Sequence, residues 1–325
     1  MKWKFWVGII ISGVFLYLAL RKIEFKEVGQ AFKDANYLYV VISGALAIVS
    51  LWIRAYRWKY LLSPLKRIGI GSLFSSTMIG FMANNLLPAR LGEFIRAYSI
   101  GSKENISKSS ALATIVIERV FDGFTILSFL AIVLIFFDFP GWVKKGGYFA
   151  FGFFVSVLIF LIFLRLHTKK VIRGVDSWLK FLPAGAKDKL KDVLYSFADG
   201  LEVLKNSNHL IMVIIFSVAG WLVMASAYQF AIIAFDLKLP LYAPFVVMVI
   251  LALGVMIPSS PGFVGTYHYF AIASLALFAV SKDVALSFSI VAHISGFIPI
   301  TLIGLYYLWR ESLSLRDLAS RKEFK

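Results

Sequence analysis

A succession of apolar segments, several approaching the length needed to cross a bilayer, runs through this chain of 325 residues and leaves few folds open. They fall at Trp3 to Leu20, Tyr37 to Ile53, Leu73 to Leu87, Ala111 to Phe137, Gly147 to Leu164, Leu210 to Phe235, Leu241 to Ile257, Phe263 to Val280 and Val284 to Trp309. In hydrocarbon every backbone N–H and C=O needs an internal partner, so only helices and closed barrels can span it. The segments are continuous and lack the period-two alternation of barrel strands. An all-α, polytopic helical membrane protein follows. With 60% of its residues hydrophobic, the chain is excluded from the soluble globular class. The opening "MKWKFWVGIIISGVFLYLAL" has the basic flank and apolar core of a secretory signal. No small-x-small cleavage site precedes "RKIEFK", so it reads as a retained first helix.

Charge supplies the orientation. The formal net charge is +16, and in a membrane protein such an excess collects in cytoplasmic loops facing anionic lipid heads, so nucleic acid is not an expected partner. Arg165 to Lys205 and the tail from Arg310 to Lys325 are rich in lysine and arginine, which puts both, and the N-terminus, on the cytoplasmic side of the cell membrane. Counting back from the basic loop sets Asp138 to Gly146 outside and Asn84 to Ser110 inside. Both ends of Leu73 to Leu87 then lie on one side. That segment extends only about 22 Å at roughly 1.5 Å per residue, against about 30 Å of hydrocarbon, so it is expected to enter and turn back. For Leu241 to Val280 the charges allow either two spans or one hairpin dipping from outside.

The chain also repeats itself. "LLPARLGEF" is answered by "MIPSSPGFV", sharing Pro88 with Pro258 and Gly92 with Gly262, and "SKSSALATIVIERVFDGF" is echoed by "SKDVALSFSIVAHISGF". By the same parity Tyr37 to Ile53 and Leu210 to Phe235 run in opposite directions, which predicts inverted-topology repeats with broken or re-entrant hairpins. The whole chain, 1–325, reads as a single transmembrane domain. Repeat 1 covers about 37–137, a basic amphipathic loop 165–208, repeat 2 about 210–309 and a basic tail 310–325. Within the loop, Leu190, Val193, Leu194, Phe197, Leu201 and Leu204 keep helical phase, fitting a helix flat on the bilayer or one packed over neighbouring loops.

Two stretches could carry chemistry. In "NNLLPARLGEFIRA", Asn84 and Asn85 end an apolar run, Pro88 removes a backbone donor and Gly92 permits a sharp approach, so the chain must turn. Beyond the turn Arg90, Glu93 and Arg96 recur at a spacing of three and would share one helix face. Glu118, Arg119 and Asp122 lie inside the long apolar run that follows. A charge at the centre of a lone spanning helix costs about 2.5–3.5 kcal/mol, so such groups face protein, a partner or water. Arg90, Arg96 and Arg119 could form a cationic pocket for a lipid headgroup, balanced by Glu93, Glu118 and Asp122, since guanidinium forks pair with phosphate and stay charged when dehydrated. The same residues would equally serve as an ion-pair network tying the hairpin to the next helix.

The second stretch, "PSSPGFVGTYHY", offers Ser259, Ser260, Tyr267 and His268 among the hinge residues Pro258, Pro261, Gly262 and Gly265. A helix starting near Phe263 would point its positive end into the membrane and could hold an anion; equally, the hydroxyls could satisfy backbone groups freed at a hinge. His268 and His293 could relay protons or sit hydrogen-bonded in the core. There is no cysteine, Walker-type loop, HExxH or GxSxG motif, so no metal, cofactor or ATP use is expected.

"NNLLPARLGEFIRAY", "ALATIVIERVFDGF" and "PSSPGFVGTYHY", in this order and spacing, resemble the flippase-like transmembrane domain family that includes the N-terminal membrane region of lysylphosphatidylglycerol synthase. The resemblance covers nearly the whole chain and implies a role in moving lipids across the bilayer. It places Asn85, Pro88, Arg90, Gly92, Glu93, Arg96, Glu118, Arg119, Asp122, Pro258, Ser259, Pro261, Gly262, Gly265 and His268 at the family's motif positions. Bifunctional members continue into a soluble aminoacyl-transfer domain; this sequence stops shortly after Trp309, so synthase activity is not expected of it. The expectation is an ATP-independent translocase, not an enzyme, for a phospholipid or polyprenyl-phosphate-type lipid with an anionic or zwitterionic headgroup. A lipid-synthesising enzyme is a possible partner. The competing readings are an intramembrane enzyme using Glu93, Glu118 or His268 on a lipid phosphate, and a membrane scaffold for a glycosyltransferase or synthase.

Overall fold

The computed structural model describes residues 2–21, 23–87, 90–172, 184–205, 207–257 and 259–311. It is helical throughout these residues. The principal helices are α1 (Lys2–Leu20), α2 (Phe25–Asp34), α3 (Tyr37–Leu62), α4 (Ile70–Leu86), α5 (Gly92–Glu104), α6 (Lys108–Val133), α7 (Gly141–Leu166), α8 (Ala184–Gly200), α9 (Ser207–Ala234), α10 (Ala243–Val255), α11 (Thr266–Ala276) and α12 (Lys282–Arg310). Among them α3, α7, α9 and α12 are long and apolar enough to cross a membrane. Side-chain caps fix where two of the long helices begin: Asn36 accepts from Leu38 N at 3.1 Å, and Ser107 accepts from Ser110 N at 3.3 Å, each satisfying an amide that the first turn leaves free.

The order long, short, short, long occurs twice, as α3–α6 and as α9–α12. The leading helices of the two sets lie antiparallel along their whole length. At one end Asn36 N donates to Ala234 O at 2.8 Å; midway Ser50 Oγ donates to Gly220 O at 2.9 Å; at the other end Ser63 Oγ meets His209 Nδ1 at 2.9 Å. Each short pair folds as a hairpin. In α4–α5, Ser76 Oγ meets Ser99 Oγ at 2.9 Å and Lys103 Nζ donates to Ser75 Oγ at 2.9 Å. In α10–α11, Gly254 lies beneath the Phe270 ring. At about 1.5 Å per residue, none of α4, α5, α10 and α11 reaches the roughly 30 Å of a hydrocarbon core.

The first helix of each hairpin packs on the last helix of the other set. Asn85 of α4 donates to Thr301 Oγ1 of α12 at 2.9 Å, and Gly304 lets α12 close on Met78 and Met82. Correspondingly, Phe245 of α10 meets Phe129 of α6 at 5.3 Å between ring centroids. The two hairpin tips touch where Arg90 stacks over the Phe263 ring at 5.2 Å. Both residues are left-handed, Arg90 at φ 52° and Phe263 at φ 58°, a conformation costly for a bulky residue. Pro88 and Pro258, expected as hinges, lie outside the described residues. The remaining hinge residues behave as expected of their chemistry: Gly262 and Gly265 adopt φ 67° and 89°, with Pro261 opening the short turn before them.

Outside this frame α7 carries Tyr148, Phe149, Phe151 and Phe160 on exposed surface, as a helix facing hydrocarbon can. The amphipathic segment forms α8 and packs on protein: Ser110 Oγ donates to Ser196 O at 2.6 Å, and Leu201 and Val203 are fully buried.

The hairpin depends on one close approach. A Cβ on Gly92 would collide with Gly80 O and the Asn84 side chain. Gly92→Ala is expected to cost about 1–3 kcal/mol, read as a lower thermal midpoint of the detergent-purified protein. Gly152→Ala, where a Cβ meets nothing within 4 Å, should leave the midpoint unchanged.

Candidate functional site

The buried charge of the molecule is concentrated where α3, α5, α6 and α9 converge. Arg54 and Arg57, one turn apart on α3, both reach Asp122 of α6, each with an N–O distance of 2.7 Å to a different carboxylate oxygen. Arg57 also lies 3.2 Å from Glu118 Oε1, which accepts from Arg96 of α5 at 2.8 Å and from Arg119. Arg119 bridges to Asp122 at 3.4 Å. From α9, Trp221 Nε1 donates to Asp122 Oδ1 at 3.0 Å and Ser217 Oγ accepts from Arg57 at 2.7 Å. Two guanidiniums are sandwiched on indoles, Arg54 over Trp221 at 4.5 Å and Arg96 over Trp58 at 3.8 Å, where cation–π attraction substitutes for lost hydration. The Trp58 ring is held in turn by its N–H bond to Thr114 Oγ1 at 2.9 Å.

Four guanidiniums, Arg54, Arg57, Arg96 and Arg119, thus share two carboxylates, Glu118 and Asp122. Glu118 is fully buried, as is Arg57, whereas the Arg119 side chain retains 37% of its exposure. That exposure opens into a cavity of about 390 Å³ whose polar wall is Arg90, Arg119 and Asp122, and whose other walls include Ile126, Leu127, Phe153, Leu253 and Met256. One end is cationic and the rest is apolar.

A second cavity, about 170 Å³, lies across the hairpin tips and is lined by Asn85, Tyr228, Tyr267 and His293, with Phe263 and Phe297. Tyr267 stacks on His293 at 4.5 Å, and His268 Nδ1 pairs with Ser289 Oγ at 3.3 Å beneath them. Asn85 lies three residues before Pro88 and lines the smaller cavity; Val255, three before Pro258, lines the larger.

The residues expected at the site are therefore divided. Arg96, Glu118, Arg119 and Asp122 come together directly, and Arg90 joins them at the cavity wall. Arg90 does not share a helix face with Glu93 and Arg96 as their spacing predicted, because α5 begins at Gly92 and Arg90 stands before it in a left-handed turn. Glu93 lies in the first turn of α5. Asn84 caps the hairpin instead of facing a ligand, its Oδ1 accepting from Gly92 N at 2.8 Å. Asn85, Tyr267 and His268 belong to the second cavity or its floor. Ser259 and Ser260 engage α1: Ser260 N donates to Ser12 Oγ at 2.8 Å, and Gly8 closes on Ser259 O. Arg54, Arg57 and Trp221 were missed by the sequence reading; the spacing of the two arginines by three, which puts them on one face of a helix continuing to Leu62, was the available signal.

The family model described as the lysylphosphatidylglycerol synthase TM region matches residues 5–304. A UPF0104 membrane protein of Methanothermobacter thermautotrophicus is 25% identical, covering 94% of this chain and 95% of that protein. Another, from Methanocaldococcus jannaschii, is 23% identical over 91% of each. The glycosyltransferase AglD of Haloferax volcanii is 30% identical over 43% of this chain but only 22% of its own length. No solved structure matches.

The imbalance of charge gives the cluster a direction of sensitivity. Losing a carboxylate raises the positive excess among the paired groups, whereas losing an arginine lowers it. Asp122→Asn is expected to cost about 3–5 kcal/mol, the penalty of an uncompensated buried charge, and Arg54→Gln markedly less. Thermal midpoints of the two variants in the same detergent check the order.

Proposed function

The chain belongs to the family of lysylphosphatidylglycerol synthase TM regions, and from that membership we propose that it is an ATP-independent lipid translocase of the cell membrane. The observation that carries this reading is the amphipathic cavity, with Arg90 and Arg119 at one end and apolar side chains around the rest. A lipid headgroup bearing phosphate would sit against the guanidiniums, which donate in the planar fork that phosphate accepts, while its tails remain among α6, α7 and α10 in contact with the bilayer.

In this reading α3–α6 and α9–α12 are inverted repeats, and α4–α5 and α10–α11 are re-entrant hairpins entering from opposite faces. The antiparallel course of α3 and α9, the brevity of the hairpin helices and the exchange of packing partners between the sets all support it. The termini and the basic segment before α9 lie on the cytoplasmic side, as the positive-inside bias requires. The chain acts as a carrier: the lipid gradient, or an ion coupled to it, supplies net direction, because binding shifts populations only through different affinities for the two states.

A second reading has one specific support, the local likeness to the glycosyltransferase AglD. In it the bundle is a membrane platform that presents a lipid to a glycosyltransferase or synthase acting beside it.

Reconstitution separates the two. Liposomes containing the protein and a fluorescent phospholipid, without ATP, should lose protection of the inner leaflet from dithionite. Arg119→Ala should slow that loss about ten- to hundredfold, the range for removing hydrogen bonds to a charged group. Full protection in wild-type vesicles, with a glycosyltransferase co-purifying from the native membrane, selects the platform.

A further inference from the structure

The charge inventory of the larger cavity narrows the ligand, and the narrowing rests on the reading of that cavity as a headgroup site. Arg90, Arg119 and Asp122 line it, and the charged groups that act on those three are Arg54, Arg57, Arg96, Glu93 and Glu118. The positive groups are Arg54, Arg57, Arg90, Arg96 and Arg119; the negative ones are Glu93, Glu118 and Asp122. Five against three leaves two positive charges. The lining contributed by α7, α9 and α10 is Ala150, Phe153, Phe154, Trp221 and the 252–256 stretch, which carries no charge, and no histidine lines the cavity.

The excess is matched by unused donors. Among the described residues Arg90 has no carboxylate within ion-pair distance; it is exposed on the cavity wall, with its guanidinium over the Phe263 ring. Among the same residues buried Nε and Nη2 of Arg57, Nε and Nη2 of Arg96 and Nε of Arg119 have no hydrogen-bond acceptor, against one buried acceptor in the cluster, Glu118 Oε2, that has no donor. Uncompensated charge in a low-dielectric interior costs several kcal/mol per ion, and a buried donor without an acceptor adds its own desolvation penalty. A singly charged phosphodiester would neutralise half the excess, and a zwitterionic headgroup none of it.

We propose that the cavity takes a lipid whose headgroup is a doubly charged phosphate, a phosphomonoester or a pyrophosphate diester, in preference to the phosphodiesters of bulk membrane lipid. Two negative charges cancel the two in excess, and the phosphate oxygens supply acceptors to Arg90 and Arg119. Arg90 is the residue that distinguishes the charge states, because Glu118 and Asp122 already engage the other guanidiniums.

The test is binding of tail-fluorescent phosphatidate and phosphatidylglycerol, with identical acyl chains, to the full-length protein in phosphatidylcholine nanodiscs. At pH 8 phosphatidate should bind about tenfold more tightly or better. The preference should shrink toward pH 5, because a phosphomonoester regains its second proton below a pKa of about 6 while a phosphodiester does not change. Arg90→Gln should weaken phosphatidate more than phosphatidylglycerol and so bring their affinities together; a merely structural role would weaken both lipids alike and leave their ratio unchanged. Should that variant prove unstable, the pH dependence of the wild-type protein still decides. Equal affinity for the two lipids at pH 8 overturns the inference, and competition by inorganic phosphate at the same concentration as phosphatidate overturns its lipid part. Liposome transport distinguishes this from the broader reading: movement of lipid with equal affinities sinks the charge selectivity alone, whereas selective binding without movement sinks the translocase alone.

Discussion

The structure depends on keeping ionised arginines inside an apolar bundle. Arg57 and Glu118 are fully buried and Arg54, Arg96 and Asp122 nearly so, in a protein whose surroundings offer little water. Burial of single ions in such a place would be prohibitive, and even a pair returns little more than its desolvation cost. What makes the cluster tenable is sharing: Asp122 accepts from two arginines and an indole, Glu118 lies within reach of three arginines, and two guanidiniums gain indole faces. Because those groups come from α3, α5, α6 and α9, one network fixes how the first hairpin and both long antiparallel helices sit. The network holds the bundle, and Arg119 also lines the cavity, where the proposed headgroup role would come in addition to its ion pairs.

The hairpins solve a related problem. A helix that ends inside a bundle leaves its last carbonyls and first amides without helical partners, which is tolerable at membrane depth only where protein or water meets them. Asn84 turns its side-chain carbonyl to the Gly92 amide, and Asn85 spans to α12. In the second tip the Ser260 amide is met by Ser12 of α1. The polar residues crowding both tips are in large part accounted for by this backbone need; Ser260 Oγ falls under it, whereas the buried Ser259 Oγ has no hydrogen-bond partner among the described residues. At the contact between tips, strain persists in Arg90 and Phe263, held because their partners over-determine them.

Much of this was legible beforehand. Helical class, the position of every apolar segment, the turn after Asn85 and the membership of Glu118, Arg119 and Asp122 in an internal charged group all follow from hydropathy, proline and glycine. Arg54 and Arg57 did not, for a physical reason: a basic residue that sets orientation at the membrane surface and one that pairs inside the bundle look the same in a sequence. The apolar segment Tyr37 to Ile53 stops short of Arg54 because charge ends an apolar window, whereas α3 runs on without interruption to Leu62. Pairing partners far along the chain, Asp122 and Ser217, are invisible to local periodicity. Arg90 failed in the opposite way: its spacing of three from Glu93 imitated a helix face, and the left-handed turn ahead of Gly92 removed it.

The geometry also says how ligand and bundle would be linked. Arg119 contributes to both carboxylates and is the one cluster member with a large exposed fraction, so an anion that engages it competes with Glu118 and Asp122 for the same donors. Arg119 sits on α6 beside both carboxylates, so each bond drawn from it leaves Glu118 and Asp122 to Arg54, Arg57 and Arg96 alone and tightens the tie between α6 and its partners on α3 and α5. An occupied cavity and an empty one must therefore differ in how tightly α6 is held to the first hairpin. A ligand can move an equilibrium only by such a difference in contacts, and here the difference arises within the first helical set, beside the hydrogen bonds of Trp221 and Ser217 that tie the cluster to α9. A neutral ligand filling the same cavity would make no such exchange, and would leave the two sets bound as they were.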